Sequence, residues 1–271
     1  MTSPLGFLEE TAAGNHAHLS EGDDERAEYI VRPPLGSGAP APKYTLEIRR
    51  AGGTVTVREP AASLLPPFCP ERHINPDGTF CLYWAEAEPS VIDRVEAADE
   101  WWGKLLTFLL RQRTAGVLRS WPGKADARAH GSRAARFQAI AEEKAGILGP
   151  GFMIALRDER FSTRSRRSNG GPRVALLMDG RRMVSVLLAE QRVMTLRQRC
   201  KCHRSDGRRL PISACENHAG ALAEFTLAME QWRTADIEFF DELRNCTYAC
   251  CGTMDNCPLA DRGHGARDEA A

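Results

Sequence analysis

Apolar residues at helical spacing predict three long helices. Residues 94–113 carry Trp101, Leu105 and Phe108 at positions i, i+4 and i+7, which places them on one face of a helix. Residues 125–145 and 219–244 show the same kind of apolar stripe, and residues 5–10 predict a shorter helix near the N-terminus. Each long helix therefore has one face to bury against another element of the fold.

Short segments rich in Tyr, Ile, Val and Thr predict strands between these helices. Residues 29–32, 44–49 and 54–58 are of this kind, and Ala51-Gly52-Gly53 separates the last two, so an antiparallel meander is expected. Residues 174–178 and 183–188 flank Asp179-Gly180, a dipeptide typical of a two-residue hairpin turn. Helices and antiparallel strands together predict an α+β fold.

The composition changes along the chain and predicts two domains. Residues 149–172 are rich in Gly, Ser and Arg, so the expected division is a domain at 1–150, a linker at 151–172 and a second domain at 173–271. Residues 1–31 hold seven acidic residues and one arginine, whereas residues 157–209 hold fifteen basic and five acidic residues. The net charge of zero is therefore a cancellation between parts of opposite sign and does not exclude a charged partner.

Some classes of protein are excluded by the sequence pattern. The longest apolar runs are far shorter than the roughly 18 residues that a membrane-spanning helix needs. The first 20 residues show neither a basic region nor an apolar region of a secretory signal. We therefore expect a cytoplasmic protein without a membrane partner, in which the cysteines stay reduced.

One loop carries a pattern that points to chemistry. Residues 68–82 read Phe-Cys-Pro-Glu-Arg-His-Ile-Asn-Pro-Asp-Gly-Thr-Phe-Cys-Leu. This segment resembles the active-site loop of ubiquitin-conjugating enzymes, and the residues that match are Ile74, Asn75, Gly78, Cys81 and Leu82. The order of elements in residues 1–145 is also similar to that family: a helix, a strand meander, a proline-bearing segment, the loop and a helix.

The resemblance implies roles for three residues of the loop. Cys81 corresponds to the cysteine that forms a thioester, and a loop thiolate is a suitable nucleophile for acyl exchange. His73 stands where the family has the Asn of a His-Pro-Asn tripeptide, which makes it the expected oxyanion donor or base; bacterial relatives are similar in placing a His here. Asn75 is expected to shape the loop, and Cys69 to be a packing residue.

The function expected from this resemblance is that of a bacterial ubiquitin-conjugating-like transferase. It would receive a ubiquitin-like modifier, or the C-terminus of a nucleotidyltransferase, from an activating enzyme and pass it to an amine of a target protein, in antiphage defence. The alternative is a catalytically inactive binding or adaptor module of the same fold, whose zinc-like C-terminal domain binds a protein or nucleic-acid partner. A papain-like protease is a weaker alternative, because its His would lie far downstream of the Cys in the sequence.

The last third of the chain contains seven of the nine cysteines. Thiolate and imidazole donors in groups favour structural zinc, although the spacing is irregular, and unpaired core thiols or redox chemistry remain alternatives. The predicted ligands are Cys200, Cys202, Cys215, His218, Cys246, Cys250, Cys251 and Cys257. The resemblance extends to this part, since some bacterial relatives carry an appended cysteine-rich region, and the second domain is expected to be α+β.

The arginine-rich band at residues 157–209 is a weaker sign of a nucleic-acid partner. Phe161 is its only aromatic residue, so a platform on which bases stack is not favoured. A solvated surface or an acidic protein partner explains the band equally well.

Overall fold

The computed structural model describes residues 2–36, 40–61, 64–84, 90–123, 128–168, 170–202, 210–215 and 217–260. The chain divides into two compact units: Met1–Pro122 together with Thr247–Ala271, and Gly123–Cys246. Both units combine helices with an antiparallel sheet, which confirms the predicted α+β class. None of the described helices is both long enough and apolar enough to span a bilayer.

The first unit contains a four-stranded sheet and two helices. Its elements are α1 (Pro4–Ala12), β1 (Ala17–Gly22), β2 (Arg26–Val31), β3 (Tyr44–Ala51), β4 (Thr54–Arg58) and α2 (Val95–Leu118). The sheet order is β1-β2-β3-β4 with every pair antiparallel, which confirms the meander. Strand β1 was not predicted, because only Ala17 among its residues is buried and its polar sequence shows no apolar alternation.

Two tryptophans of α2 form the centre of this unit. Trp101 and Trp102 are 1% and 0% exposed, as the apolar stripe of the helix predicts. The Trp102 ring meets Tyr29 of β2 edge-on at 5.2 Å between centroids, and its indole Nε1 donates to the Leu8 carbonyl of α1 over 3.1 Å. Helix α2 is thereby fixed to both the sheet and α1, and the loop between β4 and α2 is anchored at both ends.

The sheet of the first unit also holds a buried carboxylate. Glu47 on β3 is 3% exposed and accepts from the guanidinium groups of Arg26, Arg49 and Arg58 at 2.7, 2.8 and 2.7 Å. The hydrogen bond from Arg49, and then that from Arg58, lower the pKa of Glu47 although its burial acts in the opposite direction. The ionised form of Glu47 therefore stabilises the folded sheet.

Replacing this carboxylate should destabilise the first unit. We expect Glu47→Gln to lower the free energy of unfolding by about 1–3 kcal/mol, because three arginines lose their charged acceptor. Since the pKa of Glu47 is lower in the folded state, its contribution is present at neutral pH and is lost as the pH falls through that folded-state pKa. Urea unfolding at several pH values measures this, with Glu21→Gln on exposed β1 as the control. An equal free energy of unfolding for Glu47→Gln and Glu21→Gln would contradict the stabilising role of Glu47.

The second unit packs a sheet against a long helix. Its elements are α3 (Gly131–Leu148), α4 (Pro150–Arg157), β5 (Phe161–Ser168), β6 (Gly171–Met178), β7 (Arg181–Leu187), β8 (Arg192–Val193) and α5 (His218–Asn245). The sheet order is β5-β6-β7-β8, again antiparallel, and β6 and β7 form the predicted hairpin around Asp179-Gly180. Phe225 of α5 and Leu176 of β6 lie in its core, both 0% exposed.

The structure places the boundary between units elsewhere than the predicted one. Residues 151–172 were expected to be a linker, but they contain α4, β5 and the start of β6, and the second unit begins at Gly123. Thr163 and Ser165 of β5 donate to Glu230 of α5, so this strand is held by polar contacts. Because β5 is rich in Arg and Ser and shows no apolar alternation, its sequence is typical of a linker. Of the helix expected at 125–145, residues 125–127 lie outside the described part, and α3 begins at Gly131.

Candidate functional site

The loop between β4 and α2 is held in place by backbone pairing at two points. Cys69 and Ile74 exchange backbone hydrogen bonds of 3.2 and 3.0 Å, which closes a tight turn around a single 3-10 turn at Pro70–Arg72. Phe80 donates its N–H to the Val57 carbonyl of β4 over 2.9 Å. The Cys69, Ile74 and Phe80 side chains are all buried, so the loop is anchored to the core on both sides of its tip.

His73 lies at the bend of this loop. Its backbone is in the left-handed region with φ of 56°, and its N–H donates to the Pro70 carbonyl over 2.8 Å. The imidazole ring meets the Trp121 ring edge-on, with centroids 5.0 Å apart. Trp121 in turn packs on Phe108 of α2, so the imidazole rests on an aromatic base formed by α2 and the residues that follow it.

Cys81 follows the second anchor and is exposed. Its backbone N–H donates to the His73 carbonyl over 2.8 Å, which places these two predicted site residues next to each other. Its Sγ lies 3.9 Å from the Tyr83 carbonyl oxygen. The arrangement presents a thiol on the surface while the backbone beneath it is fixed.

The tip of the loop is a turn built around Asn75. Asn75 accepts the Gly78 N–H through its carbonyl at 2.9 Å, and its Nδ2 donates to Thr79 Oγ1 over 3.0 Å. Gly78 has φ of 80°, a conformation that side chains other than glycine rarely adopt. Burial acts to raise the pKa of Asp77, but the hydrogen bonds from Thr79 outweigh it and lower that pKa. Asn75 thus closes the turn through its bonds to Gly78 and Thr79, as expected of a residue that shapes the loop.

A second group of chemically active side chains lies in the second unit. Cys200, Cys202, Cys215 and His218 each contribute a donor atom, and the four atoms all lie within 4.8 Å of one another. Cys202 and Cys215 are 3.5 Å apart at Sγ, and His218 Nδ1 is 3.6 Å from Cys200 Sγ and 3.2 Å from Cys215 Sγ. Donors around a tetrahedral zinc ion lie about 3.5–3.8 Å apart, so this Cys3His cluster fits the ion in donor type and spacing.

Backbone hydrogen bonds and the start of α5 position the four donors. Cys200 donates its N–H to the Leu210 carbonyl over 2.8 Å, and Ile212 donates its N–H to the Gln198 carbonyl over 2.8 Å. A 3-10 turn at Ile212–Ala214 then leads to Cys215, and His218 is the first residue of α5. Burial, followed by hydrogen bonds with Cys215 and Cys200, raises the pKa of Cys202 to about 12. A bound dication reverses that preference, since it stabilises thiolates.

Residues 18–123 match the family model described as a prokaryotic E2 domain, and residues 129–259 match that of a cysteine-rich domain C-terminal to the E2 domain. The chain contains a prokaryotic E2 domain followed by a cysteine-rich domain. E2 is the general term for ubiquitin-conjugating enzymes, so the expected family is confirmed. No curated protein and no solved structure matches the chain at a significant level.

The cysteine-rich match extends beyond the second compact unit. It runs to residue 259, whereas the structure assigns Thr247 and the residues after it to the same unit as the E2 domain. Arg119 Nε, just past α2, bonds Asp255 Oδ1 over 2.6 Å, and its Nη2 donates to the Gly252 carbonyl over 3.1 Å. Tyr248 packs on Phe68 with centroids 4.9 Å apart. We call residues 247–260 the C-terminal segment.

The remaining predicted metal ligands do not join the Cys3His cluster. Cys246 is exposed at the end of α5, while Cys250, Cys251 and Cys257 belong to the C-terminal segment of the E2-containing unit. Within the described ranges, the Cys3His cluster is the one group of three or more such donors within 4.8 Å. The sequence could not separate the ligands of the Cys3His cluster from the later cysteines. The spacing of cysteines along the chain does not indicate which compact unit each segment belongs to.

The E2 domain contains a buried arginine that the sequence did not single out. Arg72 is 4% exposed; its Nε donates to Gln112 Oε1 over 2.7 Å, its Nη2 to the Gln112 carbonyl over 2.9 Å, and its Nη1 to Thr253 Oγ1 over 3.2 Å. Among the described residues no carboxylate forms an ion pair with it. Burial lowers the pKa of Arg72, while the neighbouring Cys69 and Cys251 act to raise it. Arg72 thus joins the loop, α2 and the C-terminal segment.

Proposed function

We propose that the E2 domain carries a ubiquitin-like modifier as a thioester on Cys81 and transfers it to an amine of a target protein. The observation that supports this most directly is the exposed Cys81 thiol on a loop whose backbone is fixed, with its N–H bonded to the His73 carbonyl. A fixed backbone beneath an exposed nucleophile allows a protein C-terminus to approach while the attacking atom stays in place.

The reaction consists of two acyl exchanges. The Cys81 thiolate attacks the thioester carbonyl that joins the modifier to an activating enzyme, and the thiolate of that enzyme leaves. The acceptor amine then attacks the Cys81 thioester, loses a proton, and expels the Cys81 thiolate as the amide bond forms. Each exchange passes through a tetrahedral intermediate whose oxyanion needs a hydrogen-bond donor.

His73 is the proposed donor to that oxyanion. Its carbonyl accepts the Cys81 N–H, so the two residues are adjacent in space, and Trp121 limits the movement of its ring. Asn75 contributes indirectly by holding the turn that leads to Cys81.

Removing the imidazole should slow transfer without removing the thioester. We expect His73→Ala, once loaded by prolonged incubation, to discharge to a free amine about 10²-fold more slowly than wild type. His73→Asn should retain more of the rate, because Asn tolerates the left-handed backbone and keeps an N–H donor. Single-turnover discharge measures both variants. Wild-type rates for His73→Ala would contradict the assigned role.

The Cys3His cluster is proposed to hold one structural zinc ion. Its four protein donors fill a tetrahedral site, which leaves no position for a substrate, and Cys200 and Cys215 are 2% and 0% exposed within the core of the second unit. When bound, the ion would cross-link the segments that carry Cys200, Cys202 and Cys215 to His218 at the start of α5.

The partners follow from the same proposal. An activating enzyme would supply the modifier, which is either a ubiquitin-like protein or the C-terminus of a nucleotidyltransferase, and the setting would be antiphage defence. These partners are supported by the match to the prokaryotic E2 domain and by the exposed Cys81.

A charging assay tests the proposed function. The full chain is mixed with ATP and with a candidate activating enzyme and a candidate ubiquitin-like protein from the same genome, and is analysed by mass spectrometry with and without a reducing thiol. We expect a thiol-labile adduct on the Cys81 peptide. Tight binding of the modifier without any adduct would instead favour the alternative, a catalytically inactive module that binds the modifier.

A further inference from the structure

Two cysteines of the E2-containing unit that the proposed transfer does not use lie in contact with each other. Cys69 and Cys251 share a hydrogen bond, with 3.0 Å between the two Sγ atoms, although 182 residues separate them in the sequence. We propose that Cys69 and Cys251 form a reversible disulfide by exchange with a low-molecular-weight disulfide, which links the C-terminal segment covalently to the loop that carries Cys81.

The backbone around both sulphur atoms supports this pairing. Cys69 is fixed by its two hydrogen bonds with Ile74. The residues that follow Cys251 are held too, Gly252 by Arg119 and Thr253 by Arg72. Bond formation brings the sulphur atoms from 3.0 Å to about 2.05 Å, a movement of about 1 Å that side-chain rotation can supply.

The two cysteines differ in a way that gives each a distinct role. Cys69 is 0% exposed, whereas Cys251 is half-buried, so an external disulfide reaches Cys251 first. The hydrogen bond with Cys69 lowers the pKa of Cys251 to about 5 in spite of burial, and Thr253 and the Arg72 guanidinium act in the same direction. The same contact raises the pKa of Cys69. Cys251 is therefore the attacking thiolate and Cys69 the resolving thiol.

The exchange balances in two steps. The Cys251 thiolate attacks one sulphur of the external disulfide, whose sulphur–sulphur bond breaks and releases one small thiolate. Cys69 then loses its proton and attacks the Cys251 sulphur of the mixed disulfide, which releases the second small thiolate. The protein thiolate and thiol become one disulfide and the external disulfide becomes two thiols, whose protons come from Cys69 and from the solvent.

A metal site does not account for this contact. Neither sulphur atom belongs to a group of three or more close donors in the part of the chain that the structure describes. Cys250 and Cys257 of the same segment form a hydrogen bond with each other instead. Burial, together with this bond, raises the pKa of Cys257 to about 12. The Cys69–Cys251 contact is thus a separate thiol pair.

The experiment uses the full, zinc-replete chain in buffers that contain defined ratios of oxidised and reduced glutathione. Free thiols are trapped with N-ethylmaleimide at each ratio, and the digested protein is analysed by mass spectrometry. We expect a peptide cross-linked between Cys69 and Cys251, which appears as the buffer becomes oxidising and disappears when reduced glutathione is added back.

Two variants test the order of the steps. In Cys69→Ala, which keeps the buried position apolar, we expect loss of the cross-link and accumulation of a glutathione adduct on Cys251. In Cys251→Ser, the buried Cys69 should remain unmodified in the folded protein. Cys246→Ser, which alters an exposed cysteine of the other unit, should keep the cross-link as in wild type.

Three results would overturn the proposal. They are the absence of the cross-link in fully oxidised glutathione, a dominant cross-link between other cysteines, and the loss of a second zinc equivalent in Cys69→Ala. None of these readouts involves modifier transfer, so a failure here is distinguishable from a failure of the proposed function.

Discussion

Cys81→Ser is expected to abolish the thiol-labile adduct and to reduce modifier transfer by more than about 10³-fold. A serine hydroxyl is a poor nucleophile at neutral pH, and any ester that it forms resists a reducing thiol, whereas a thioester does not. Cys81 is exposed and its backbone is held by His73, so the substitution should leave the fold of the E2 domain unchanged. Non-reducing gels and intact mass after charging measure the outcome.

The chain offers a matched control for this experiment. Cys246 is also exposed but lies at the end of α5 in the other unit, so Cys246→Ser removes one accessible thiol without altering the loop. We expect this variant to form the adduct at the wild-type rate. The assignment of Cys81 fails if Cys81→Ser still forms a thiol-labile adduct, or if Cys246→Ser loses it.

Cys202→Ser is expected to have the largest effect on the second unit, through loss of the proposed zinc ion. Structural zinc contributes many kcal/mol to folding, and replacing one thiolate by a hydroxyl weakens binding strongly. Cys202 is only half-buried, so the change in packing is smaller than at Cys200 or Cys215. Metal analysis of wild type purified without chelator should give about one zinc per chain, and Cys202→Ser well below it.

Unfolding measurements separate the metal from the packing. A chelator should lower the melting temperature of wild type to near that of Cys202→Ser, and should change the variant little. Cys246→Ser, whose cysteine lies outside the cluster, should keep both the zinc and the wild-type melting temperature. The zinc proposal fails if purified wild type contains no zinc, or if its melting temperature is the same with and without chelator.

The sequence predicted the elements whose burial follows one clear period. Strands β3 and β4 and helices α2 and α5 each present an apolar face to a core, so alternation or helical spacing locates them to within a few residues. The pattern missed β5, because Thr163 and Ser165 meet Glu230 through hydrogen bonds and leave no apolar alternation. Polar contacts between elements have no periodic signature.

The candidate site was predictable where it is local and unpredictable where it is not. Cys81, His73 and Asn75 lie within nine residues and belong to one loop motif, so their proximity follows from the sequence. The contact of Cys69 with Cys251 depends on a segment that returns from far along the chain. Cys69 was expected to be a packing residue, and it is buried, but nothing in residues 68–82 indicates its partner.

The C-terminal segment belongs to the same compact unit as residues 1–122, and this determines which fragments of the protein can fold on their own. In connectivity, residues 123–246 are an insertion within the unit formed by residues 1–122 and 247–271. A fragment ending at Pro122 would leave Arg72 and Arg119 without their contacts to Thr253 and Asp255. An isolated E2 domain of this chain therefore calls for a direct fusion of residues 1–122 to the C-terminal segment, in place of a simple C-terminal truncation at Pro122.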